Sequence, residues 1–469
     1  DRRMKIAIVQ MPPHPRDTPP FEMALTTAIL RRQGHEVEVF DVNAGEASDF
    51  SRCADRLLSC HPDVVVFKTE HGLPNALKTA PIVKRKSPAT ILIGSGANHS
   101  DQGRIARRQC EEKERGDASF DYRILGEDDI VLPEVISAIA RGARGELAKR
   151  FQMKGRIIDA TAGPRLDNLD ELPFYDFTDY DFTRYGDPRT IRFSISRGCP
   201  PRCAFCQDKG MDGTYRTMSA QRWFEEYRCQ HERHPQIRNF QFDDKLLNGD
   251  VAVLEHFCEL LIEEYGAKAL PGGGGPPVIW AGDFIIRPEM TGALIKKMAQ
   301  AQCGRFGAGL ESGSERVRAS VCKDFFPNEE ASRVFANCRR YGINVAVNIS
   351  IGLPAETQED FLQTVRFVET NASNIWELRL TFPTARIPHG TPLQKAPRKF
   401  NLGTTDHEKW SAQDGRNDYS ERVRRFQEFC ERMLPLPGTR LMVNRRIVKN
   451  KAMIARLAEE CRAGIAQEA

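Results

Sequence analysis

Long apolar runs are absent from this 469-residue sequence. No stretch approaches the roughly 18 consecutive apolar residues of a transmembrane helix, so the sequence predicts no membrane span. The basic start, DRRMKIAIVQMPP, lacks the long apolar segment and the small-residue cleavage site of a secretory signal peptide. With 28% charged residues and a mean hydropathy of −0.48, the composition is that of a soluble globular protein. Its length allows two or three domains.

The sequence also lacks a strong excess of charge and a disulfide framework. A net charge of +4 is too small in a chain of this size to predict nucleic-acid binding. The thirteen cysteines are an odd number. Most stand singly in apolar helical patterns, such as Cys258 in VLEHFCELL and Cys338 in VFANCRRYG, where cysteine behaves as a small core residue. A reducing, cytoplasmic location is therefore the prediction.

Residues 1–145 alternate between strand and helix patterns. MKIAIVQ, EVEVFDV, DVVVFK and ATILIG are short apolar, β-branched runs, and helical spacing follows them. This alternation predicts a doubly wound, Rossmann-like parallel sheet. Such sheets bind ligands at the carboxyl ends of their strands. Here those ends fall in the loops at 11–13, 69–71, 94–100 and 126–128.

The rest of the chain divides into three predicted segments. Residues 146–190 are acidic, aromatic and proline-spaced, and they are interpreted as an ordered linker. Residues 191–399 resume the alternation for about six units, which predicts a partial (β/α)6 barrel of the TIM type with its site at the strands' C-terminal ends. Residues 400–469 are charged and predicted to be a largely helical C-terminal region.

Three cysteines crowd the loop SRGCPPRCAFCQDKG, directly after the first predicted barrel strand. A disulfide would use two of Cys199, Cys203 and Cys206 and leave the third thiol unpaired. Structural zinc normally takes four protein ligands, and no second CxxC or HxxxH pair lies nearby. An iron–sulfur cube held by three cysteines keeps one iron open for a substrate or cofactor. The spacing favours the iron–sulfur interpretation over zinc or coincidence.

The loop, CxxxCxFC, resembles the signature of the radical S-adenosylmethionine (SAM) superfamily. FQFDDKLL, FGAGLESGSERVRASVCKDF and ISIGLPAETQEDF resemble that superfamily's second-, fourth- and fifth-strand signatures, in the same order. The resemblance implies that Cys199, Cys203 and Cys206 hold a [4Fe–4S] cluster. The cluster would chelate SAM and cleave it with one electron, giving a 5′-deoxyadenosyl radical that takes hydrogen from the substrate.

The resemblance also implies SAM contacts, and each has a structural alternative. Glu311 could instead cap the next helix, Asp243 could form a helix N-cap pair with Asp244, and Gly352 could serve only close packing. The full set implied for SAM is Phe205, Asp243, Glu311, Ser312, Ser350 and Gly352.

The first domain resembles the cobalamin-binding domain that precedes the barrel in many radical SAM enzymes. PPFEMALTTAILRRQGHEVEVFDVN, PDVVVFKTE, ILIGSGANHS and YRILGEDDIVLPEVISAI carry this resemblance. The DxHxxG motif, whose histidine ligates cobalt in other cobalamin proteins, is absent, which leaves the cobalt without that lower ligand. His71 and His99 could bind the cofactor or could be ordinary polar loop residues. The implied cobalamin contacts are Pro12, Thr69, Glu70, His71, Gly94, Ser95, Gly96, His99, Gly126 and Glu127.

The combined resemblance implies a radical SAM enzyme that uses cobalamin to transfer a methyl group to an unactivated carbon. Cyclisation or rearrangement, with or without cobalamin, is the alternative, and a non-catalytic iron–sulfur or cobalamin sensor is a further one. An external electron donor, flavodoxin or ferredoxin, is implied because no second cluster motif is visible. The substrate is a small molecule or a peptide, which Arg386 and His389 could contact; nucleic acid is not expected. The residues identify neither the substrate nor the oligomeric state.

Overall fold

The computed structural model divides the chain into two compact units. The first contains Asp1–Gly198 and Asp208–Gln241, and the second contains Cys199–Gln207 and Phe242–Ala469. In the part of the chain that the structure describes, no helix has the length and apolarity to span a bilayer. The described residues are 2–12, 17–42, 49–69, 72–96, 120–151, 153–160, 164–206, 214–267, 276–380 and 384–463.

The first unit contains a seven-stranded sheet with the order β2–β1–β3–β4–β5–β7–β6. All neighbouring strands are parallel except the last pair, β7 and β6. The sheet therefore has the doubly wound 2-1-3-4-5 order, whose ligand site lies where the winding reverses, between β1 and β3. Its strands are β1 (Lys5–Gln10), β2 (Glu36–Asp41), β3 (Val64–Lys68), β4 (Ile91–Ser95), β5 (Tyr122–Leu125), β6 (Met153–Lys154) and β7 (Ile157–Asp159).

Helices accompany these strands, as the alternation predicts. Every residue of β3 and β4 is buried, as expected for parallel strands covered on both faces. The predicted Rossmann-like fold is confirmed. The short pair β6 and β7 was not predicted, because two or three residues give no readable pattern, and it lies inside the segment interpreted as a linker. The helices are α1 (Phe21–Arg32), α2 (Phe50–Leu58), α3 (Leu73–Lys86), α4 (Val131–Ala140) and α5 (Leu147–Arg150).

The first two predicted barrel strands also belong to the first unit, up to Gln241. The aromatic segment before them packs on their side chains: the ring of Tyr175 lies 5.7 Å from that of Phe193, and its hydroxyl donates to the Ser194 carbonyl at 2.9 Å. The additional elements here are β8 (Thr190–Phe193), β9 (Ser196–Arg197), β10 (Arg216–Thr217), α6 (Ala220–Arg233) and β11 (Asn239–Phe242).

The second unit continues the β/α alternation. Strands β12 to β16 are hydrogen-bonded in chain order and parallel, and β17 closes the row antiparallel to β16. They are β12 (Ile279–Phe284), β13 (Cys303–Glu311), β14 (Asn344–Ile349), β15 (Glu377–Leu380), β16 (Arg440–Val443) and β17 (Arg446–Ile447). The helices are α7 (Val251–Tyr265), α8 (Gly292–Gln300), α9 (Glu315–Ser320), α10 (Asn328–Arg340), α11 (Gln358–Thr370), α12 (Pro392–Lys395), α13 (Tyr419–Met433) and α14 (Lys451–Ala463).

The six strands β8, β11, β12, β13, β14 and β15 match the predicted (β/α)6 pattern, and this fold class is confirmed. The largely helical character of the C-terminal region is also seen, in α13 and α14. Strands β16 and β17 were missed there, because the basic run GTRLMVNRRIVKNK reads as a solvated surface rather than a strand pair.

Alternation along β13 separates an apolar face from a polar one. Phe306, Ala308 and Leu310 are buried, and Phe306 stacks on the ring of Phe284 with centroids 4.6 Å apart. The opposite face of the strand carries Arg305, Gly307, Gly309 and Glu311. In a β/α barrel one face of each strand packs against the helices and the other lines the interior. The polar face therefore defines where a ligand of the barrel would lie.

Candidate active site

The cysteine loop is held in place by backbone bonds to two other segments of the second unit. The Ala204 N–H donates to the carbonyl of Val321 at 2.8 Å, and the Ala204 carbonyl accepts from the N–H of Leu393 at 3.2 Å. Within the loop, the Cys206 N–H donates to the Cys203 carbonyl at 3.2 Å. These bonds fix a turn that brings the second and third cysteines close together.

The donor set of this loop fits an iron–sulfur cluster. No disulfide joins Cys199, Cys203 or Cys206 to another cysteine of the described residues, so the disulfide interpretation is not supported. Burial raises the pKa of Cys203 to about 11, while the nearby Lys323 charge lowers it. Among the described residues, no three His, Cys, Asp or Glu side chains converge to hold a single metal ion. A zinc ion needs all its ligands around one atom. An iron–sulfur cube instead takes one thiolate on each of several irons, so its cysteines need not converge on a single ion.

Glu311 and Ser350, two of the residues predicted for SAM, meet at the C-terminal ends of β13 and β14. The Ser350 hydroxyl donates to Glu311 Oε2 at 2.7 Å, and the Ser350 N–H donates to the Glu311 carbonyl at 2.9 Å. Lys323 Nζ donates to Glu311 Oε1 at 3.0 Å, and both side chains are nearly buried. Glu311 has a φ of 65°, a left-handed conformation that is rare for this residue type and clusters at functional sites.

This Glu311–Ser350–Lys323 group adjoins the cysteine loop. Both Lys323 and Glu311 act electrostatically on the Cys203 thiol, the lysine lowering its pKa and the glutamate raising it. Lys323 Nζ also lies 5.8 Å from the ring centroid of Phe205. Phe205, the third residue predicted for SAM, is partly buried against the same apolar cluster as Ala204. The structure thus brings three of the predicted residues together with Lys323.

Two other predicted SAM residues are engaged in structural contacts. Ser312 is fully buried, and its hydroxyl bonds Thr364 Oγ1 at 3.0 Å and accepts from the Ser314 N–H at 3.1 Å. Gly352 has a φ of 80°, and a Cβ there would lie 2.4 Å from the side chain of Arg422. The close-packing alternative for Gly352 therefore has direct support, and the SAM roles of both residues stay predictions.

Asp243 stays a prediction of the same kind. It directly follows β11 and is half-buried, next to the buried Asp244. The N-cap of the next helix, α7, is neither of these residues but Asp250, whose carboxylate accepts from the Ala252 and Val253 N–H groups. The helix-cap alternative for Asp243 is therefore not supported.

Charged side chains from β12, β13 and β15 lie on the polar face of the second unit's sheet. Arg379 Nε donates to Glu377 Oε1 at 2.5 Å. Burial and the like charge of Arg379 lower the pKa of Arg305, against the opposing effects of Asp283 and Glu377. A Cβ on Gly307 would lie 1.9 Å from Asp283 Oδ1, so this glycine leaves room for the carboxylate. The face is thus polar and charged on both sides of β14.

Arg386 and His389, predicted as substrate contacts, are engaged with other side chains of the second unit. Arg386 pairs with Glu408 at 2.8 Å. The His389 ring stacks on that of His407, with centroids 6.2 Å apart, and its Nδ1 lies 2.5 Å from Gln394 Nε2. A contact with substrate stays a prediction for both residues.

In the first unit, the polar side chains at the carboxyl ends of β3 and β4 bond to each other. Lys68, which is 1% exposed, donates from Nζ to Asp128 Oδ2 at 2.7 Å and to Thr26 Oγ1 at 3.2 Å. The Ser95 hydroxyl donates to Asp128 Oδ2 at 2.6 Å. The Thr69 hydroxyl donates to the Ser95 carbonyl at 3.2 Å. Most of the polar side chains at this edge therefore have hydrogen-bond partners within the protein.

Other predicted cobalamin residues contribute backbone rather than side chains at this edge. The Pro12 carbonyl accepts from Asn75 Nδ2 at 2.7 Å. Gly96 and Gly126 have φ values of 134° and 98°, which side chains rarely permit, at the ends of β4 and β5. Gly94 faces inward, because a Cβ there would lie 3.1 Å from the Phe120 ring.

Glu127 forms a buried ion pair instead of an open ligand-facing carboxylate. Arg216 Nη1 donates to Glu127 Oε2 at 3.1 Å, and Nη2 donates to Oε1. Glu70, His71 and His99, also predicted to contact cobalamin, lie outside the described residues. The fit of this edge to cobalamin rests on the β1/β3 winding reversal and on its glycines, with no side-chain ligand to cobalt assigned.

Sequence reasoning missed Lys323 and the Lys68–Asp128 pair. Both left a signal. Lys323 lies inside the run FGAGLESGSERVRASVCKDF, and Lys68 follows four apolar residues in DVVVFK. A cation inside a fully buried strand needs a partner, and an acidic loop residue such as Asp128 is the natural candidate.

The radical SAM superfamily profile matches residues 193–368. An uncharacterized methyltransferase of Pyrococcus horikoshii is 23% identical over 359 residues, which are 75% of this chain and 73% of the relative. The hopanoid C-3 methylase of Methylococcus capsulatus is 30% identical over 219 residues, which are 45% of this chain and 40% of the methylase.

A solved structure shares the two-part architecture. The radical SAM methyltransferase TsrM from Kitasatospora setae, with cobalamin and a [4Fe–4S] cluster bound, superposes with a TM-score of 0.66 and 16% identity, over 86% of this chain and 76% of that one. At this identity the likeness establishes the fold. Together with the profile match and the cysteine loop, it shows that residues 193–368 form a radical SAM domain and that the chain has the fold of TsrM.

Proposed function

We propose that the chain is a cobalamin-dependent radical SAM methyltransferase that alkylates an unactivated carbon. One observation carries the proposal: the three-cysteine loop and the Glu311–Ser350–Lys323 group lie together at the strands' C-terminal ends, near enough for Lys323 and Glu311 to act on Cys203. The names of the methylase relatives and of TsrM support methyl transfer and cobalamin as the second cofactor.

The chain's own residues would bind and orient the cofactors. Cys199, Cys203 and Cys206 would hold a [4Fe–4S] cluster with one iron open. Lys323 supplies a buried positive charge for the SAM carboxylate, and Glu311, fixed by Ser350, supplies an acceptor for its ammonium or ribose hydroxyls. When bound, SAM and the cluster supply a 5′-deoxyadenosyl radical, and cobalamin supplies the methyl group.

The residues proposed to hold cobalamin lie along the carboxyl edge of the first sheet, from β1 to β5. The backbone at Pro12, Thr69, Gly96 and Gly126 would line it, and the Lys68–Asp128 pair would keep the edge rigid. The chain offers no DxHxxG histidine, so no side chain of this protein is proposed as a ligand of cobalt.

The polar face of the second unit favours a polar substrate. Arg305, Arg379, Asp283 and Glu377 would give the interior charged groups of both signs. A purely apolar substrate would have to desolvate these charges without compensation. An external one-electron donor is proposed because the sequence has no second cluster motif, and a reducing cytoplasm is the proposed location.

Anaerobic reconstitution with iron, sulfide and hydroxocobalamin tests the proposal. We expect about four irons and about one cobalamin per chain, and 5′-deoxyadenosine after addition of SAM and a reductant. A chain that binds iron but no cobalamin would support the alternative of a radical SAM cyclase or rearrangement enzyme. Cofactor loading without SAM cleavage would favour the sensor alternative and overturn the enzymatic proposal.

The Lys323→Met variant should bind SAM about 10- to 100-fold more weakly, because a charge-assisted bond of about 1.5–3 kcal/mol is lost. Equilibrium dialysis of SAM against the reconstituted variant measures this. The matched control, Lys323→Arg, keeps the charge and should recover most of the affinity. Iron content should equal that of the parent protein in both variants. Unchanged SAM affinity in Lys323→Met would show that the lysine only stabilises Glu311.

A further inference from the structure

The cysteine loop presents a positive surface. Residues 199–206 contain one charged residue, Arg202, and its side chain is exposed. The neighbouring Cys203 and Ala204 are buried. The charged side of the loop therefore faces solvent, while its apolar side faces the protein.

A second segment, residues 391–402, lies directly against this loop. The Leu393 N–H donates to the Ala204 carbonyl at 3.2 Å. Leu393, Phe400 and Leu402 are buried in the same apolar cluster as Ala204. The segment is thus anchored by its apolar residues to the loop that would carry the iron–sulfur cluster.

Apart from Ala396, the exposed residues of this segment are cations. Residues 391–402 contain Lys395, Arg398 and Lys399 and no carboxylate, and all three side chains are exposed. Across the described ranges, neither these three nor Arg202 forms an ion pair. Three exposed acids lie near these contacts: Asp324, close in the chain to Val321, and Asp406 and Asp414, in the stretch 403–416 whose Gln413 bonds the backbone of Arg398 and Asn401. The same stretch adds the exposed cations Lys409 and Arg416, so six cations against three acids leave the surface positive.

We infer that this surface, Arg202 with Lys395, Arg398 and Lys399, is the docking site of an acidic one-electron donor protein such as a reduced flavodoxin. The inference rests on the proposed function, which needs the cluster to be reduced. One electron leaves the donor's reduced flavin and takes the cluster from the 2+ to the 1+ state, with no bond made or broken. Positive charge around the loop steers an acidic donor to the protein surface nearest the cluster.

Binding to the cluster-free protein gives the first test. The triple variant carries Lys395→Glu, Arg398→Glu and Lys399→Glu. Its control has the same change in charge and carries Lys296→Glu, Lys449→Glu and Lys451→Glu. The three lysines of the control are exposed and lie on or beside α8 and α14. The probe is an oxidised flavodoxin of net negative charge, with binding measured by biolayer interferometry at low ionic strength. The triple variant should lose about tenfold or more in affinity, and the control less than about threefold. Added salt should erase the difference.

Electron delivery gives the second test. Reduced flavodoxin should drive SAM cleavage about tenfold more slowly in the triple variant than in the control, while reduced methyl viologen, a small cation, should serve both equally. Equal flavodoxin rates in the two variants would overturn the docking site. Loss of flavodoxin binding in both, or preferential binding of RNA or anionic vesicles by the same cations, would also overturn it. Failure of SAM cleavage with viologen in the parent protein would instead overturn the proposed function.

If the triple variant folds poorly, the unmodified chain still tests the docking site. Its affinity for flavodoxin should fall steeply between low and physiological salt, as expected for binding through several charges. Affinity that does not change with salt would overturn the inference without any substitution.

Discussion

Replacing Cys203 by alanine should abolish both the iron–sulfur cluster and SAM cleavage. Cys203 is the middle ligand of the proposed set, and its backbone carbonyl bonds the N–H of Cys206. With two thiolates left, a second iron would be open and the cube would lose the protein bond that holds it against solvent. We expect 5′-deoxyadenosine formation at the level of the protein-free control, a loss of at least about a thousandfold.

Iron content and the visible absorption of the reconstituted protein measure this loss directly. Cys229→Ser is the matched control, because Cys229 is a free thiol that is half-buried on α6, outside the loop. It should keep full iron content and activity. A Cys203→Ala chain that still held its full complement of iron and cleaved SAM would contradict the cluster assignment.

The cysteine loop could be predicted from sequence because its ligands are close in the chain. Three thiols in eight residues need no tertiary information to be recognised as a set. The Glu311–Ser350 contact joins residues 39 apart, and it was predicted only through two family-like strand signatures. Lys323 lies in one of these signatures, but its role could not be predicted. The neighbouring sequence does not show that its ammonium bonds the carboxylate of Glu311, twelve residues earlier.

The edge of the first sheet shows a different limit. Sequence order places Thr69, Ser95 and Glu127 at the carboxyl ends of strands, and the structure finds them there. Whether a polar side chain is available to a ligand depends on its partners in space. Ser95 gives its hydroxyl to Asp128, and Glu127 is paired with Arg216, so both are already bonded within the protein.

The Lys68→Met variant should destabilise the first unit by about 3–5 kcal/mol, the usual cost of leaving one buried charge without its partner. Lys68 lies at the end of a fully buried strand, and its ammonium bonds Asp128 at 2.7 Å. Without the ammonium, the Asp128 carboxylate would keep the hydroxyl of Ser95 and a backbone hydrogen bond, but no opposite charge from Lys68. Native-state hydrogen exchange of β3 and β4 in the full chain measures the effect where it arises.

Lys86→Met is the matched control for this variant. Lys86 pairs with Asp55 at 2.6 Å in the same unit, but both side chains are exposed. Exposed pairs contribute about 0–1 kcal/mol, so exchange in β3 and β4 should barely change. Equal effects of the two substitutions would show that the Lys68–Asp128 pair does not stabilise this edge of the sheet.

The pH dependence distinguishes a lost ion pair from lost packing. In the parent protein, burial would raise the pKa of Asp128, but the charge and hydrogen bond of Lys68 hold it below its ordinary value of 3.8. A lowered folded pKa gives stability that is present above 3.8 and is lost only as the pH falls through the folded value. Between pH 5 and 8 the stability that this pair contributes to the parent protein is therefore constant.

In Lys68→Met, burial acts on Asp128 without the opposing cation, so its pKa should rise above the ordinary value. A raised folded pKa means that stability is lost as the pH increases, because the unfolded carboxyl ionises first. The destabilisation should therefore be smaller at pH 5 than at pH 8. A difference that stays constant across this range would assign the effect to packing of the lysine stem, and the buried charge would not be its cause.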